Sequence, residues 1–322
     1  MFSKFNLKQL LGIFVILLLI VLAVEVFDSK DKTNSSFNSN IVAVDQDNIG
    51  SFILYTKNKP EVPVTFTKND DRWNFESEGI SYNAAPDAIN AILNQISTVK
   101  ADRIVANSKD KWNEYKVSDS LATRVIINDK NGKELADLYI GKFSYSQPKN
   151  QGQNQYRQQQ GTMTSFVRSG NSKEIYAVDG YLSMLFDRDI KYMRDPVIIK
   201  SNFNDWNKIT VTAPSDSSFT LEKQGNTWLL NGQTTDSASV VTYLRDLQNV
   251  SSHNFFDDSV VSQPTYTMMI EGSGSMTNPI EIKGYTVDSK HIISTSENKN
   301  TYFESGTDKL FHKLFQSRPD VK

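Results

Sequence analysis

The stretch Val64–Trp73 reads VTFTKNDDRW, and the stretch Phe219–Trp228 in the second half of the chain reads FTLEKQGNTW. Both alternate apolar and polar residues, reach an Asn-Asp or Gly-Asn pair, and return into a tryptophan. Alternation on both sides of such a pair is the pattern of a β-hairpin. Because the two stretches align without a gap, the sequence predicts the same hairpin twice.

Other segments flank the two hairpins in the same order. An earlier strand contains Ile49, Phe52 and Leu54 in the first half, and Trp206, Ile209 and Val211 in the second. A helix follows, with apolar stripes at helical spacing: Ile89, Ile92, Leu93, Ile96 and Val99, then Val240, Tyr243, Leu244, Leu247 and Val250. Four strands come next: Arg124–Asn128, Glu134–Gly141, Ser165–Arg168 and Ile175–Val178, then Tyr266–Glu271, Pro279–Gly284, His291–Ser294 and Thr301–Glu304. Short apolar helices around Leu182–Phe186 and Leu310–Leu314 close the two halves.

This order of elements predicts the fold class. A chain of 322 residues usually forms more than one domain, and runs of strands with isolated helices favour antiparallel sheets in an α+β fold. We therefore expect an N-terminal transmembrane helix followed by two tandem repeats of an antiparallel-sheet-plus-helix unit. The expected repeats cover residues 41–200 and 201–322.

The N-terminal residues 1–28 are predicted to form a membrane anchor. Leu10–Val24 reads LLGIFVILLLIVLAV without a charged residue, and with its apolar flanks it can span roughly 30 Å of hydrocarbon. Lys4 and Lys8 precede this run, so the positive-inside rule keeps the N-terminus in the cytoplasm and exports the body to the periplasm. The alternative is a signal peptide cleaved near Val21–Ala23, which also exports the body.

Two polar segments lack the periodicity of strands or helices. Residues 29–40 (SKDKTNSSFNSN) are expected to be a flexible tether between membrane and body. Residues 144–164 (SYSQPKNQGQNQYRQQQGTMT) are rich in Gln and Asn. They are interpreted as a long hairpin loop, with a polar contact arm for a partner or a glycan as the alternative.

Composition excludes several classes of function. The formal net charge is −2, which provides no basic field for nucleic acid. The chain contains no cysteine, so disulfides, thiolate metal sites, cysteine nucleophiles and a lipidated cysteine are excluded.

The polar residues of the sequence do not form a recognisable metal site or nucleophile motif. The three histidines, His253, His291 and His312, do not have metal-ligand spacing. Ser-x-x-Lys occurs at Ser29–Lys32 and Ser108–Lys111 without the companion motifs of penicillin-binding enzymes. No catalytic, cofactor-binding or metal-binding residue is therefore predicted.

Carboxylates and aromatic residues give only weak signals. Asp45-x-Asp47-x-x-Gly50 resembles a calcium loop but lacks its fifth and twelfth oxygen ligands. The adjacent pairs Asp70-Asp71 and Asp257-Asp258 are interpreted as turn or surface carboxylates. Trp73 and Trp228 are expected to pack a helix against a hairpin, although stacking on a glycan is an alternative.

Several short segments together resemble a known bacterial family. They are the hairpin into Trp73, the Tyr82–Val99 helix and the elements Glu114–Val117, Ile140-Gly141, Phe166–Arg168, Ile175–Val178 and Tyr192–Asp195. The chain resembles the domain-of-unknown-function family numbered 4340, except that Lys116 stands where the family favours Gly. Related domains accompany auxiliary proteins of gliding-motility-type ABC transporters. The resemblance implies an extracytoplasmic accessory protein and no catalytic residue.

These observations predict a non-catalytic, membrane-tethered scaffold or accessory subunit outside the cytoplasm. Its expected partners are membrane proteins, in particular ABC-type transport components of a gliding-motility-type complex. The alternative is a module that binds cell wall or polysaccharide through exposed aromatic residues and the Gln/Asn-rich segment.

Overall fold

The computed structural model describes residues 39–146, 162–186, 188–214, 217–258, 260, 262–306 and 309–320. The predicted membrane anchor, residues 1–28, lies outside these residues, as do residues 29–38 of the predicted tether and 147–161 of the Gln/Asn-rich segment. No helix among the described residues is long and apolar enough to cross a membrane.

Ten described strands of the first half form one antiparallel sheet. From edge to edge the order is β1-β6-β10-β9-β8-β7-β2-β3-β4-β5. The strands are β1 (Asn40–Ala43), β2 (Ile49–Thr56), β3 (Lys59–Asn69), β4 (Arg72–Ser77), β5 (Ile80–Asn83), β6 (Thr98–Ala106), β7 (Thr123–Asp129), β8 (Glu134–Ser146), β9 (Thr162–Ser169) and β10 (Ile175–Asp179).

The described strands of the second half form a nine-stranded sheet and a separate pair. The nine-stranded order is β15-β14-β13-β12-β18-β19-β20-β21-β17, and β11 pairs with β16. The strands are β11 (Val197–Lys200), β12 (Trp206–Thr212), β13 (Phe219–Gln224), β14 (Thr227–Leu230), β15 (Gln233–Thr234), β16 (Asn249–Ser251), β17 (Phe255–Phe256), β18 (Tyr266–Gly272), β19 (Ile280–Val287), β20 (Lys290–Thr295) and β21 (Asn298–Ser305).

The two large sheets share one strand order. Read inward from β5 and from β15, each sheet runs through the hairpin, the strand before it and then four strands that follow the helix. Both predicted hairpins are present. Their register is the same, since Lys68 pairs with Trp73 and Lys223 pairs with Trp228. The halves differ after the helix: β6 pairs with both β1 and β10, whereas its counterpart is split into β16 and β17.

Five short α-helices lie within the described residues: α1 (Pro86–Ile96), α2 (Trp112–Tyr115), α3 (Leu182–Phe186), α4 (Ser237–Leu247) and α5 (Leu310–Phe315). The buried faces of α1 and α4 are the predicted stripes, from Ile89 to Ile96 and from Val240 to Leu247. The last residue of each predicted stripe lies outside its helix. Val99 lies in β6 and Val250 in β16, because each helix ends before them.

The expected α+β class, with two sheet-plus-helix repeats, is wrong, whereas the predicted transmembrane helix lies outside the described residues. The described chain is mostly β, built on large antiparallel sheets, and its longest helices have 11 residues. Strand content was underestimated because several strands do not show an apolar pattern. β6 reads TVKADRIVA, with charges at Lys100, Asp102 and Arg103, and β3 begins with a proline-containing stretch that normally argues against a strand.

Two buried clusters form the cores. In the first half, Phe52, Phe66 and Phe75 are cross-strand partners, and their rings stack at centroid distances of 4.4 and 5.2 Å. They lie in one cluster with the buried face of α1. In the second half, Trp206 is fully buried with Leu221 and the buried face of α4. Each helix therefore covers one face of its sheet.

Most segments that carry the family resemblance meet around α2, on the other face of the first sheet. The Arg168 guanidinium donates to the Val117 carbonyl (3.1 Å) and stacks on Trp112 at 3.9 Å. A Cβ at Gly141 would lie 2.2 Å from the Tyr115 carbonyl oxygen, so this position requires glycine. Lys116 ends α2 with φ 57°, a left-handed conformation that favours the Gly of the family. These segments therefore share a structural role in docking α2.

Candidate functional site at the junction of the two halves

The edge strand β5 of the first half lies against β21 of the second half. The Asn83 side-chain amide donates to the Glu297 carbonyl (3.1 Å), and the Asn300 amide donates to the Ser81 carbonyl (2.9 Å). Ala84 forms an isolated antiparallel bridge with Arg194. The two halves are therefore joined by side-chain amides and by the connecting segment, residues 188–200, which runs from the end of α3 through β11. We call this contact the seam.

Arg194 spans the seam. Its guanidinium stacks on Tyr82 of β5 at 4.1 Å and lies 5.5 Å from the ring of Phe255 in the second half. It also forms an ion pair with Asp257 at 2.5 Å. The Arg194 side chain is only 11% exposed, whereas that of Asp257 is 56% exposed. Because its contacts belong to both halves, Arg194 is positioned to hold them together.

The backbone of Asp195 forms hydrogen bonds with both halves at the seam. Its N–H donates to the Asn83 carbonyl (2.9 Å), and its carbonyl accepts from the Asn298 side-chain amide. Its carboxylate accepts the Val197 N–H at 3.0 Å. Burial raises the pKa of the Asp195 carboxyl, although this hydrogen bond and the charges of Arg72 and Lys200 act in the opposite direction.

A cleft of about 890 Å³ opens beside the seam, and we call it the junction cleft. One wall is the end of the first hairpin, with Arg72 and Trp73, next to the first turn of α1. The opposite wall includes Arg188 and Lys200 of the connecting segment and His253 of the second half. Acidic groups line it as well, namely Asp47, Asp71, Asp87, Asp195 and Glu297. The cleft therefore offers charges of both signs and the aromatic rings of Trp73 and Tyr192.

The second half has a much smaller pocket at the equivalent place. Its volume is about 190 Å³, and it lies between Trp228, Lys223 and the α4 residues Val240 and Leu244. Trp73 and Trp228 are both half-buried and pack against their own cores. Neither ring is fully buried or fully exposed, so each tryptophan both packs and lines a cavity.

The first turns of the two equivalent helices differ. The N-cap of α4 is Asp236, whose carboxylate accepts the Ser239 N–H at 2.8 Å. The N-cap of α1 is Ala85, which makes no side-chain hydrogen bond, and Pro86 follows it. The backbone of α1 is therefore less completely capped than that of α4. The first turn of α1 also lines the junction cleft.

The structure places the three histidines apart. His253 lines the junction cleft, His291 stacks on Phe311 at 4.1 Å, and His312 contacts Ser317 at 3.2 Å. Within the described ranges, no group of three or more His, Cys, Asp or Glu is arranged to hold a metal ion.

The other polar motifs have local structural contacts. Lys111 of the Ser108–Lys111 motif pairs with Glu114 (2.9 Å), and Ser29–Lys32 lies outside the described residues. Asp45 accepts the Asp47 N–H at 3.0 Å and so caps a turn. Asp70 begins the hairpin turn with φ 52°. Asp257 is the exception, because its partner is Arg194 of the seam.

The sequence pattern pointed to Trp73 but not to most of the other residues that build the seam and the cleft. Arg194 and Asp195 belong to the segment Tyr192–Asp195, which contributes to the family resemblance but carries no recognised binding motif. Nothing in the local sequence indicates that Arg194 reaches two aromatic rings separated widely along the chain. The bulky residues Tyr192 and Met193 precede Arg194 in the sequence, but they do not identify its partners.

Comparison with known proteins gives one match. The family model described as "Domain of unknown function (DUF4340)" matches residues 76–268, which is more than half of the chain. The match covers the helix α1, the connecting segment with Arg194, and the second hairpin. No curated protein and no solved structure matches.

Proposed function

The chain belongs to the DUF4340 family, and from that premise we propose that it is a non-catalytic scaffold or accessory subunit, tethered to the cytoplasmic membrane, that binds a protein partner in the junction cleft. The apolar N-terminal segment would hold the body at the periplasmic face of the membrane. Tethering raises the effective concentration of the body around membrane-bound partners.

The observation that carries this proposal is the junction cleft itself. It is several times larger than its counterpart at Trp228 and is formed by both halves. Arg72 and Lys200 are exposed on its walls, and so is the acidic Asp87. Mixed charges around an aromatic ring suit a polar protein segment, because such a segment presents both carboxylate and amine groups.

We further propose that the partners are ABC-type transport components of a gliding-motility-type complex. This assignment rests on the resemblance of the chain to domains that accompany such transporters. Crosslinking in intact cells followed by identification of the captured proteins tests it. Permease or ATPase subunits are expected among the captured proteins, and their absence from a capture that retains other membrane proteins would contradict the assignment.

A charge-reversal variant tests the role of the cleft. Arg72→Glu combined with Lys200→Glu should abolish capture, because both side chains line the cleft. Both are exposed, so the melting temperature should change little. Lys299→Glu, exposed on β21 and outside the cleft lining, is the matched control and should retain capture. Equal capture by the cleft variant and the control would contradict the proposal.

A second candidate is a module that binds cell wall or polysaccharide. The observation in its favour is that half-buried Trp73 and 48% exposed Tyr192 both line the junction cleft. Aromatic rings of this kind stack on sugar faces. Retention on peptidoglycan that is lost in Trp73→Leu and kept in Trp228→Leu would favour this candidate over the protein partner.

A further inference from the structure

Five large apolar side chains are exposed together at one end of the first sheet. Phe143, Tyr145, Met163, Tyr181 and Met184 are each between 37% and 53% exposed. They lie where β8 and β9 pair at their far ends and where the chain enters α3. We call this group the hairpin-end patch.

The register of the strands places these side chains on one face. Tyr145 pairs directly with Met163, and Phe143 lies two residues earlier on the same strand. The Gly180 N–H donates to the Met163 carbonyl (2.8 Å), which brings Tyr181 next to the hairpin.

The helix α3 extends the same patch. It packs against β8, with Leu182 and Phe186 in the core cluster of the α1 face. Tyr181 immediately precedes the helix, and its carbonyl accepts the Met184 N–H at 2.9 Å, so the two exposed side chains lie at the same end of the helix. The patch is therefore continuous from the hairpin to the helix.

The described chain begins close to this patch. The Ser39 carbonyl accepts the Ala101 N–H at 2.7 Å. Ala101 pairs with Val178, Val178 with Ser165, and Ser165 with Phe143. Phe143 thus lies on the same row across the sheet as Ser39, the first described residue. The four strand spacings from β1 to β8 amount to roughly 19 Å.

We propose that the hairpin-end patch rests in the interface of the bilayer that holds the N-terminal segment. This inference rests on the membrane tether proposed above and adds a second contact with the membrane. Residues 29–38 can span at most roughly 35 Å, so the start of the body and the patch stay within reach of the anchoring membrane. Tyrosine, phenylalanine and methionine suit this boundary, because their apolar bodies enter the acyl region while the tyrosine hydroxyls stay among the headgroups.

The contact is apolar and not electrostatic. Lys142, next to the patch in sequence, lies over the rings of Tyr115 and Phe166 on the opposite face, at 4.8 and 5.8 Å. Contact of the patch with the bilayer should therefore persist at high salt, unlike the binding of a polybasic surface.

Single-cysteine labelling of the full-length protein tests the inference, because the native chain has no cysteine. Met163→Cys and Val241→Cys are matched, since the native side chains are 37% and 38% exposed. Each is labelled with an environment-sensitive fluorophore, and the protein is reconstituted in vesicles that contain brominated lipids. The Met163 probe should be quenched several-fold more than the Val241 probe. Adding Phe143→Ser and Tyr145→Ser should reduce its quenching to the level of the Val241 probe.

Flotation of the same vesicles separates the two proposals. Co-flotation with a Met163 probe that is quenched no more than the Val241 probe overturns the patch inference and leaves the tether intact. Failure of the full-length protein to float removes the tether and, with it, the patch inference. Quenching that survives both serine substitutions also overturns the inference, because the contact would then not depend on the patch.

Discussion

The two halves share their strand order and both hairpin tryptophans, but the cavities beside these tryptophans differ several-fold in volume. The junction cleft measures about 890 Å³, whereas the pocket at Trp228 measures about 190 Å³. The difference comes from the position of each half in the chain. The first half continues into the connecting segment, which forms a further wall with residues between Arg188 and Lys200, and the second half supplies His253 and Glu297. The larger cavity therefore depends on the junction, not on the shared sheet.

The halves also differ in what covers the outer face of each sheet. In the first half, α2 docks there through Arg168 and Gly141. In the second half, the corresponding chain is shorter, and a small cluster around Phe256, Tyr285 and Ile292 is buried instead. The same strand order thus tolerates different outer coverings, while the helix-covered face is retained.

The largest expected effect is the loss of stability when the fully buried tryptophan is truncated, compared with the two tryptophans that line cavities. Trp206 is fully buried and donates to the Ser201 hydroxyl at 3.0 Å. Trp206→Ala should reduce the free energy of unfolding by about 3–5 kcal/mol. Trp73→Ala and Trp228→Ala should each cost roughly half as much, because these rings are half-buried. Urea titration measures all three. A Trp228→Ala variant as destabilised as Trp206→Ala would contradict the comparison.

The second prediction concerns the coupling of the halves. Arg194→Ala removes the contacts with Tyr82, Phe255 and Asp257 and should cost about 2 kcal/mol, discounted because Asp257 is largely exposed. Amide exchange should become faster in β5 and β21 and remain slow at the sheet centres. Lys290→Ala is the control, because its ion pair with Glu304 is confined to the second half. Unchanged exchange at β5 in Arg194→Ala would show that the seam does not depend on the arginine.

The third prediction concerns the N-caps of the equivalent helices: one variant removes the cap of α4, and the other adds a cap to α1. Asp236→Ala removes the bond to the Ser239 N–H and should destabilise the protein by about 1 kcal/mol. Ala85→Ser supplies a cap that α1 lacks and should stabilise it by up to about 1 kcal/mol. Thermal unfolding of both variants measures the difference. A shift of the same sign in both variants would contradict the assignment of a capped α4 and an uncapped α1.

The smallest expected effect is the pH dependence of Asp195. Burial raises the pKa of its carboxyl in the folded state, so folding favours the protonated form. Native stability should therefore fall as the pH rises from the ordinary carboxyl pKa through the raised one. Asp195→Asn should lack this fall and gain stability relative to the native protein toward neutral pH. Urea titrations across this range test it, with exposed Asp246→Asn as the control. Parallel pH profiles of native protein and Asp195→Asn would contradict the assignment.

The hairpins and helix stripes were predictable because their alternation and spacing are local. The strands β1, β5, β6 and β11 were not predicted, since they are short or carry charges within the strand. Missing them led to the wrong fold class. A neighbouring strand supplies the hydrogen bonds that hold such segments extended, and this neighbour is not visible in the local pattern.

The candidate site was less predictable than the sheets. Trp73 was singled out, but the junction cleft also needs Arg188, Lys200 and His253, which come from widely separated segments. Arg194 gains its role only when Tyr82 and Phe255 are brought to the same place. No spacing rule in one sequence relates such residues, so only the folded chain shows them together.

Site-specific photocrosslinking in living cells tests most directly whether the partner binds in the junction cleft. A photoreactive residue replaces Lys200 in the cleft or Lys223 at the smaller pocket, one position per strain. The account predicts a discrete adduct with a membrane-protein partner from position 200 and none from position 223. An adduct from position 223 with none from position 200 would contradict it, because the equivalent pocket and not the junction would then hold the partner.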